Sequence, residues 1–117
     1  MIELTIPGNP PSDNTLYGHR AFGKRVMKYM TAKGKEYKRL ASECAFGKYP
    51  MTTKPIAIRL KIYFGDNRKR DVQGHLKAVI DSFEGILYEN DSQVTELYAS
   101  KEKDKENPRT ELEMWEL

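Results

Sequence analysis

Residues 56–64 read IAIRLKIYF and carry the clearest strand pattern in the chain. Large apolar side chains occupy every second position, at Ile56, Ile58, Leu60, Ile62 and Phe64. This period of two predicts a β-strand with one face in a hydrophobic core. The strand leads into a loop that begins at Gly65, and loops at the ends of sheet strands commonly carry chemistry. The residues that follow are therefore the first candidates for a functional site.

The next segment, residues 66–94, reads DNRKRDVQGHLKAVIDSFEGILYENDSQV. Three consecutive cations stand before Asp71, namely Arg68, Lys69 and Arg70. A second acidic cluster, at Glu89 and Asp91, closes the segment. Carboxylates bind metal cations, and basic side chains beside them bind phosphate. The pattern therefore indicates metal-assisted phosphoryl chemistry.

Two helices are expected. Apolar residues in the segment recur with helical spacing at Leu76, Val79, Ile80, Phe83 and Leu87. This spacing predicts a helix that begins near Val72 or Gln73 and weakens near Gly85. Earlier in the chain, Thr31 is a suitable N-cap for a helix over residues 32–46. The apolar face of that earlier helix is formed by Tyr37, Leu40, Ala41 and Cys44.

Three further strands complete the predicted fold. Residues 2–6 alternate apolar and polar side chains, and we expect this strand to lie at the centre of the sheet or next to it. Residues 93–100 and 110–114 predict two more strands, and the charged stretch 101–108 between them is typical of a hairpin connection. The order β-α-β-α-β-β over residues 1–117 predicts a single α+β domain with two helices packed on a mixed sheet.

Composition excludes several classes of protein. The single cysteine, Cys44, allows neither an internal disulfide nor a cysteine-based zinc site, which fits a reducing, cytoplasmic setting. No apolar stretch approaches the ~20 residues of a membrane-spanning helix, and the N-terminus lacks the pattern of a signal peptide. The net charge is +3, but the first 50 residues are basic and the remainder is acidic. This split would suit a basic surface for a polyanion beside an acidic pocket for a cation.

Residues 9–30 show no sustained period and are expected to form a long loop. Aromatic rings and cations alternate in its second half, a combination that suits stacking on bases and neutralising phosphates. Arg20, Lys24 and Arg25 are therefore candidate DNA contacts. The alternative is a surface loop that Tyr17 and Phe22 attach to the core.

Three stretches together resemble one known family. PGNPPSDNTLY (residues 7–17), TAKGKEYKR (31–39) and KRDVQGHLKAVIDSFEGILYENDSQV (69–94) resemble the RusA family of Holliday junction resolvases, usually phage or prophage endodeoxyribonucleases. The resemblance covers nearly the whole chain in order. It implies a RusA-like fold and a homodimeric, magnesium-dependent enzyme, with manganese as a substitute metal, that cuts four-way DNA junctions in recombination and repair.

The resemblance also implies the site residues. The family's first Asp falls on Asp71, its Lys on Lys77 and its later Asp on Asp91, so that Asp71 and Asp91 would hold the metal and Lys77 would assist the reaction. Gln73 stands where the family has a second Asp and is a third candidate ligand. Arg68, Lys69 and Arg70 would hold the DNA backbone. The family's Asn after the second Asp is replaced by Gly74.

Gln73 leaves alternatives open. Its amide oxygen can coordinate magnesium but brings no charge, so the site would bind metal more weakly, hold one metal, or recruit Glu89 or His75. The protein is then an active resolvase, or a RusA-like protein that binds branched DNA with little or no cutting. A third alternative is an unrelated basic nucleic-acid-binding domain. In that case the candidates have ordinary roles, with Asp71 as a helix cap and Asp91 as a turn former.

Overall fold

The computed structural model describes residues 1–117, and its sheet is mixed. The elements in chain order are β1 Ile2–Pro7, α1 Asp13–Leu16, β2 Tyr17–Phe22, β3 Arg25–Met30, α2 Ala32–Ala45, β4 Ile56–Phe64, α3 Leu76–Ser82, β5 Val94–Lys103 and β6 Arg109–Glu116. Two 3-10 turns, Val72–His75 and Asp91–Gln93, precede α3 and β5. The predicted α+β class is confirmed.

The main sheet has the strand order β1-β6-β4-β5. β4 pairs in parallel with β5, while β6 pairs antiparallel with both β4 and β1. A parallel pair needs a crossover between its strands, and here α3 provides it. β4, α3 and β5 therefore form a β-α-β unit, with the loop after β4 at one end of the sheet and the start of β5 at the other.

Two expectations about the sheet are wrong. β1 lies at an edge, because its only partner in the sheet is β6. Residues 101–108 do not form a hairpin, because β4 lies between β5 and β6. The reason is burial: alternate residues of β6 are buried, as a central strand requires, whereas nearly all of β5 is exposed. Alternation within a single strand cannot reveal which neighbours it will have.

The core lies between the sheet and helices α2 and α3. The inward side chains of β4 are at most 1% exposed from Ile56 to Ile62. Ile56, Ile58 and Leu60 belong to one core cluster with Tyr37 and Ala41 of α2 and Val79 of α3. Thr31 caps α2 as expected, since its Oγ1 accepts a 3.1 Å hydrogen bond from the backbone N–H of Gly34. The predicted helix over residues 32–46 is confirmed to within one residue. No helix has both the length and the apolar character needed to cross a bilayer.

The second predicted helix is shorter than expected. It starts with the 3-10 turn Val72–His75, continues as α3 and ends at Ser82, before Gly85. Gly85 has a φ of 85° and its N–H donates to the carbonyl of Tyr88 at 2.7 Å. The chain therefore turns at Gly85, and Leu87 reaches the core from outside the helix.

The expected loop at residues 9–30 instead contains α1 and a β-hairpin. β2 and β3 pair antiparallel from Tyr17↔Met30 to Phe22↔Arg25, which leaves a two-residue turn at Gly23 and Lys24. Gly23 has a φ of 59°, and Lys24 does not have a positive φ, as expected for a type II′ turn. Most of the hairpin is exposed on both faces, so no burial period marks these strands in the sequence.

Candidate active site

Asp71 stands where the loop after β4 enters the helical segment. Its Oδ1 accepts a 3.1 Å hydrogen bond from the backbone N–H of Gln73, so Asp71 is the N-cap of the 3-10 turn. Both Asp71 and Gln73 have exposed side chains. The cap uses one carboxylate oxygen and fixes the orientation of the group, and the second oxygen can still bind a cation. Capping and metal binding are therefore compatible roles for Asp71.

The basic loop, residues 66–70, is held by an internal ion pair. Arg70 donates two hydrogen bonds to the carboxylate of Asp66, from Nη2 at 2.6 Å and from Nε at 3.2 Å. Its guanidinium lies 5.1 Å from the ring centre of Phe64. The hydrogen bond from Arg70 lowers the pKa of Asp66. Arg70 is therefore already paired, while Arg68 and Lys69 are exposed and free to meet a phosphate.

Two cations of this surface come from β5 and were missed by sequence reasoning. Lys101 Nζ donates to the carbonyl of Arg70, and Lys103 Nζ donates to Oδ1 of Asn67. Together with Asp66, Asn67, Arg68 and Arg70 of the basic loop they line a cavity of about 260 Å³. The parallel register with β4 places the end of β5 beside the basic loop. The only sequence signal for this position is the alternation of Lys101 and Lys103 in β5. It places these lysines beside the basic loop only once the register of β5 with β4 is known.

Lys77 lies on α3 and points towards the base of the hairpin. Its ammonium is 5.4 Å from the ring centre of Tyr17, and Lys28 of β3 approaches the same ring at 4.0 Å. The Tyr17 hydroxyl donates a 2.9 Å hydrogen bond to Oδ2 of Asp81. Burial first, and then Asp81, raises the pKa of Tyr17 to about 12, so Tyr17 remains a donor at neutral pH. Asp81 thus anchors Tyr17, and it makes no ion pair with Lys77.

The pocket around these two cations has a volume of about 350 Å³. Its lining consists of Asp13, Asn14, Tyr17, His19, Lys28 and Lys77. Lys28 was not among the sequence candidates. Only the pairing of β3 with β2 brings Lys28 towards Lys77, 49 positions further along the chain, so no local pattern predicts this contact.

Asp91 begins the 3-10 turn before β5. Asn90 and Gln93 cap that turn reciprocally, and the backbone N–H of Asp91 donates to Oε2 of Glu84 at 3.1 Å. Burial raises the pKa of Tyr88, and the nearby charges of Asp81, Glu84 and Asp91 raise it further. Asp91 therefore belongs to an acidic group at this end of α3, and its own carboxylate is exposed.

Asp71 and Asp91 do not come together within one chain. In the parallel pair, Ile56 lies beside Val94 at one end and Phe64 beside Lys103 at the other. Asp91 precedes the first end, and Asp71 follows the second. A strand rises ~3.3 Å per residue, so the separation between Asp71 and Asp91 is on the order of 20 Å. No group of three or more His, Cys, Asp or Glu side chains in the chain is placed to hold a metal ion.

His75, considered as a substitute ligand, has a structural position. It is buried, its Nδ1 hydrogen bonds to the carbonyl of Pro10 at 2.9 Å, and its ring meets the ring of Phe64 edge-on at 5.0 Å. Nearby, the side chain of Asn9 donates to the carbonyl of Tyr63 and accepts from the N–H of Gly65. The PGNPPSDN stretch therefore fastens the end of β4 and the start of the helical segment.

The remaining DNA candidates, Arg20, Lys24 and Arg25, are all on the hairpin and all exposed. The structure thus divides the predicted cations between two places, the hairpin and the basic loop. It adds Lys28 to the first and Lys101 and Lys103 to the second.

These features describe an α+β protein with exposed carboxylates beside basic surfaces. The family model of the endodeoxyribonuclease RusA matches residues 7–114, and the chain belongs to this family. The protein is therefore a member of a family of hydrolases that cut DNA and act on branched junctions. An unrelated nucleic-acid-binding domain is excluded. No curated protein matches the chain.

Proposed function

We propose that the protein is a magnesium-dependent, structure-selective endodeoxyribonuclease that resolves Holliday junctions in recombination and DNA repair. The observation that carries this proposal is the match of residues 7–114 to the RusA family together with the exposed Asp71 at the exit of β4. Because such an enzyme acts on DNA, a cytoplasmic setting is part of the proposal.

The donor groups fit magnesium by their chemistry. Magnesium prefers oxygen ligands, which Asp71 and Asp91 offer as carboxylates and Gln73 as an amide. When bound, the ion would polarise the scissile phosphate and lower the pKa of a water molecule. The cap to Gln73 N–H holds the carboxylate of Asp71 in place before any metal arrives.

A homodimer would bring the separated carboxylates together. β5 is an edge strand with one side unpaired. If two copies paired β5 antiparallel across a two-fold axis, the start of one β5 would lie beside the end of the other, so that Asp91 of one copy approaches Asp71 of its partner. Leu97 supports this pairing, since it lies beside the buried Ile58 on the helix side of the sheet and yet is 42% exposed.

The basic residues would take separate parts in the reaction. Lys77 would offset charge that develops on the phosphoryl oxygens. Arg68 and Lys69 of the basic loop, with Arg20, Lys24 and Arg25 of the hairpin, would hold the DNA backbone without reading its sequence. Arg70 would mainly keep the basic loop in shape, because Asp66 already neutralises it.

A second candidate function is binding of branched DNA without efficient cutting. The observation that favours it is Gln73, whose exposed amide stands beside Asp71 without a negative charge. Loss of one carboxylate weakens the attraction of the site for a divalent cation. The cations that hold DNA do not depend on Gln73, so binding would persist.

Incubation with a labelled four-way junction and a matching linear duplex, each with and without magnesium, separates the two functions. Symmetric nicks that require magnesium and the junction support the enzyme. Tight junction binding without nicks supports the second function, and equal affinity for junction and duplex contradicts both. Asp71→Asn is the matched control, since it should remove cutting while junction binding is kept.

A further inference from the structure

The positive charge of the chain is concentrated on the hairpin, Tyr17–Met30. The whole chain has 20 Lys and Arg against 17 Asp and Glu. The hairpin contributes four of the cations, Arg20, Lys24, Arg25 and Lys28, and none of the carboxylates. The rest of the chain is therefore close to neutral overall, and the hairpin has the character of a polyanion-binding element.

The two faces of the hairpin differ. Residues directly opposite each other in an antiparallel pair share a face, so the outer face is defined by the pairs Gly18↔Tyr29, Arg20↔Met27 and Phe22↔Arg25. In two of these three pairs an apolar or aromatic side chain stands opposite a cation. Phe22 is 56% exposed, Met27 55% and Tyr29 44%. The other face begins with Tyr17, which is hydrogen bonded to Asp81 of α3.

Tyr29 is held in a defined orientation on the outer face. A Cβ atom on Gly18 would lie 2.5 Å from the Tyr29 ring, so the ring rests directly on the backbone of Gly18. The guanidinium of Arg20 lies 5.4 Å from the ring centre. The outer face therefore combines an ordered ring, a second ring at Phe22 and cations between them, which is the arrangement that binds unpaired nucleotides.

The rings and cations of the outer face indicate which ligand binds there. A paired duplex offers phosphates, but its bases are stacked on each other and cannot cover Phe22 or Tyr29. A second copy of the chain would bring another hairpin of the same charge, which repels. Unpaired bases with their phosphates match both the rings and the cations.

We infer that the outer face of the hairpin stacks on unpaired bases at the branch point of a DNA junction, while Arg20 and Arg25 meet the flanking phosphates. This inference rests on the proposed function and assigns part of its structure selectivity to the hairpin. The aromatic contacts distinguish a branch point from continuous duplex, and the cations bind either.

Affinities measured by fluorescence anisotropy, with calcium in place of magnesium to prevent cutting, test the inference. The Phe22→Ala/Tyr29→Ala variant should bind a four-way junction and an oligo(dT) strand about ten-fold more weakly and a linear duplex with nearly unchanged affinity. Val26→Ala is the matched control, because Val26 is 70% exposed on the other face, and it should bind all three as the native protein does. Arg20→Gln/Arg25→Gln should weaken all three.

Photocrosslinking locates the contact directly. A junction that carries 5-iododeoxyuridine at the branch point should crosslink to Phe22 or Tyr29, and the same label in the middle of an arm should not. Unchanged junction affinity of the double variant, or crosslinks from the arms alone, would overturn the inference while junction cutting stays intact. A native protein that does not prefer the junction would overturn the proposed function and this inference with it.

Discussion

The hydroxyl of Tyr17 donates a 2.9 Å hydrogen bond to Oδ2 of Asp81, which ties the first residue of the hairpin to α3. Lys77 lies one helical turn before Asp81, and its ammonium faces the ring of the same tyrosine. Tyr17 is therefore the point at which the most basic element of the chain meets the helix of the candidate active site.

Tyr17→Phe removes this hydrogen bond and keeps the ring. Because a hydrogen bond to a carboxylate contributes about 1.5–3 kcal/mol, we expect a comparable loss in the free energy of unfolding, with faster amide hydrogen exchange across the hairpin. Urea unfolding and hydrogen exchange measure the two effects. Tyr49→Phe is the control, since Tyr49 packs against the core outside the hairpin. Unchanged exchange in the hairpin would show that the bond does not fix it.

Mixing two inactive variants tests whether the metal site is shared. Asp71→Asn and Asp91→Asn should each fail to cut a junction. In a mixed dimer one site carries both substitutions and the other carries neither, so mixing should restore nicking on one strand, measured on a labelled junction. Each variant alone is the control. If both carboxylates served one chain, every site would remain damaged and mixing would restore nothing.

Gln73→Asp should strengthen metal binding. The change adds a carboxylate beside Asp71, and we expect half-maximal cutting at a magnesium concentration about ten-fold lower, a change of about 1.4 kcal/mol in binding free energy. Magnesium titration of the nicking rate measures it. Gln73→Asn, which keeps an amide, should show no such gain. An unaltered titration with Gln73→Asp would remove residue 73 from the site.

Removal of the hydroxyl from two buried tyrosines should change the free energy of unfolding in opposite directions. The hydroxyls of Tyr37 and Thr110 are buried, and neither has a partner in hydrogen-bonding geometry. Tyr37→Phe removes one unsatisfied group and should raise the free energy of unfolding by about 1 kcal/mol. Tyr88→Phe removes the hydrogen bond to the carbonyl of Ile80 and should lower it by about as much. Urea unfolding that gives both changes the same sign would contradict this assignment.

Acid should loosen the basic loop. The hydrogen bond from Arg70 lowers the pKa of Asp66 from its ordinary value of 3.8, so the stabilisation is complete above that value and is lost as the pH falls through the lower, folded pKa. The protection of the amides of residues 66–70, after correction for the intrinsic pH dependence of exchange, should fall below about pH 4. In Asp66→Asn the same amides should show low protection at every pH. A native loop that is equally protected at pH 2.5 and pH 6 would refute the role of this ion pair.

Sequence patterns predicted the elements that bury one face. β4 and α2 were found closely, because their apolar residues follow the period of a strand and of a helix with a capping Thr31. The hairpin was missed because its strands are exposed on both faces. The edge position of β1 was missed because neighbours in a sheet are chosen by tertiary packing.

The candidate site could be predicted only in part. Asp71, Lys77 and Asp91 were identified through their order in a family motif. Their places in space depend on the parallel pairing of β4 and β5, which no local pattern contains. The same pairing added Lys101 and Lys103 and separated the two carboxylates that the motif brings together in sequence.

The position of β6 has a consequence for folding. β6 follows every other strand in the chain, yet it lies between β1 and β4 and is the only partner of β1 in the sheet. The two ends of the chain must therefore meet before the sheet is complete, and that closure costs chain entropy before most of its contacts form. Folding is expected to be slow for a protein of this size, and a nascent chain that lacks β6 is expected to leave β1 unpaired.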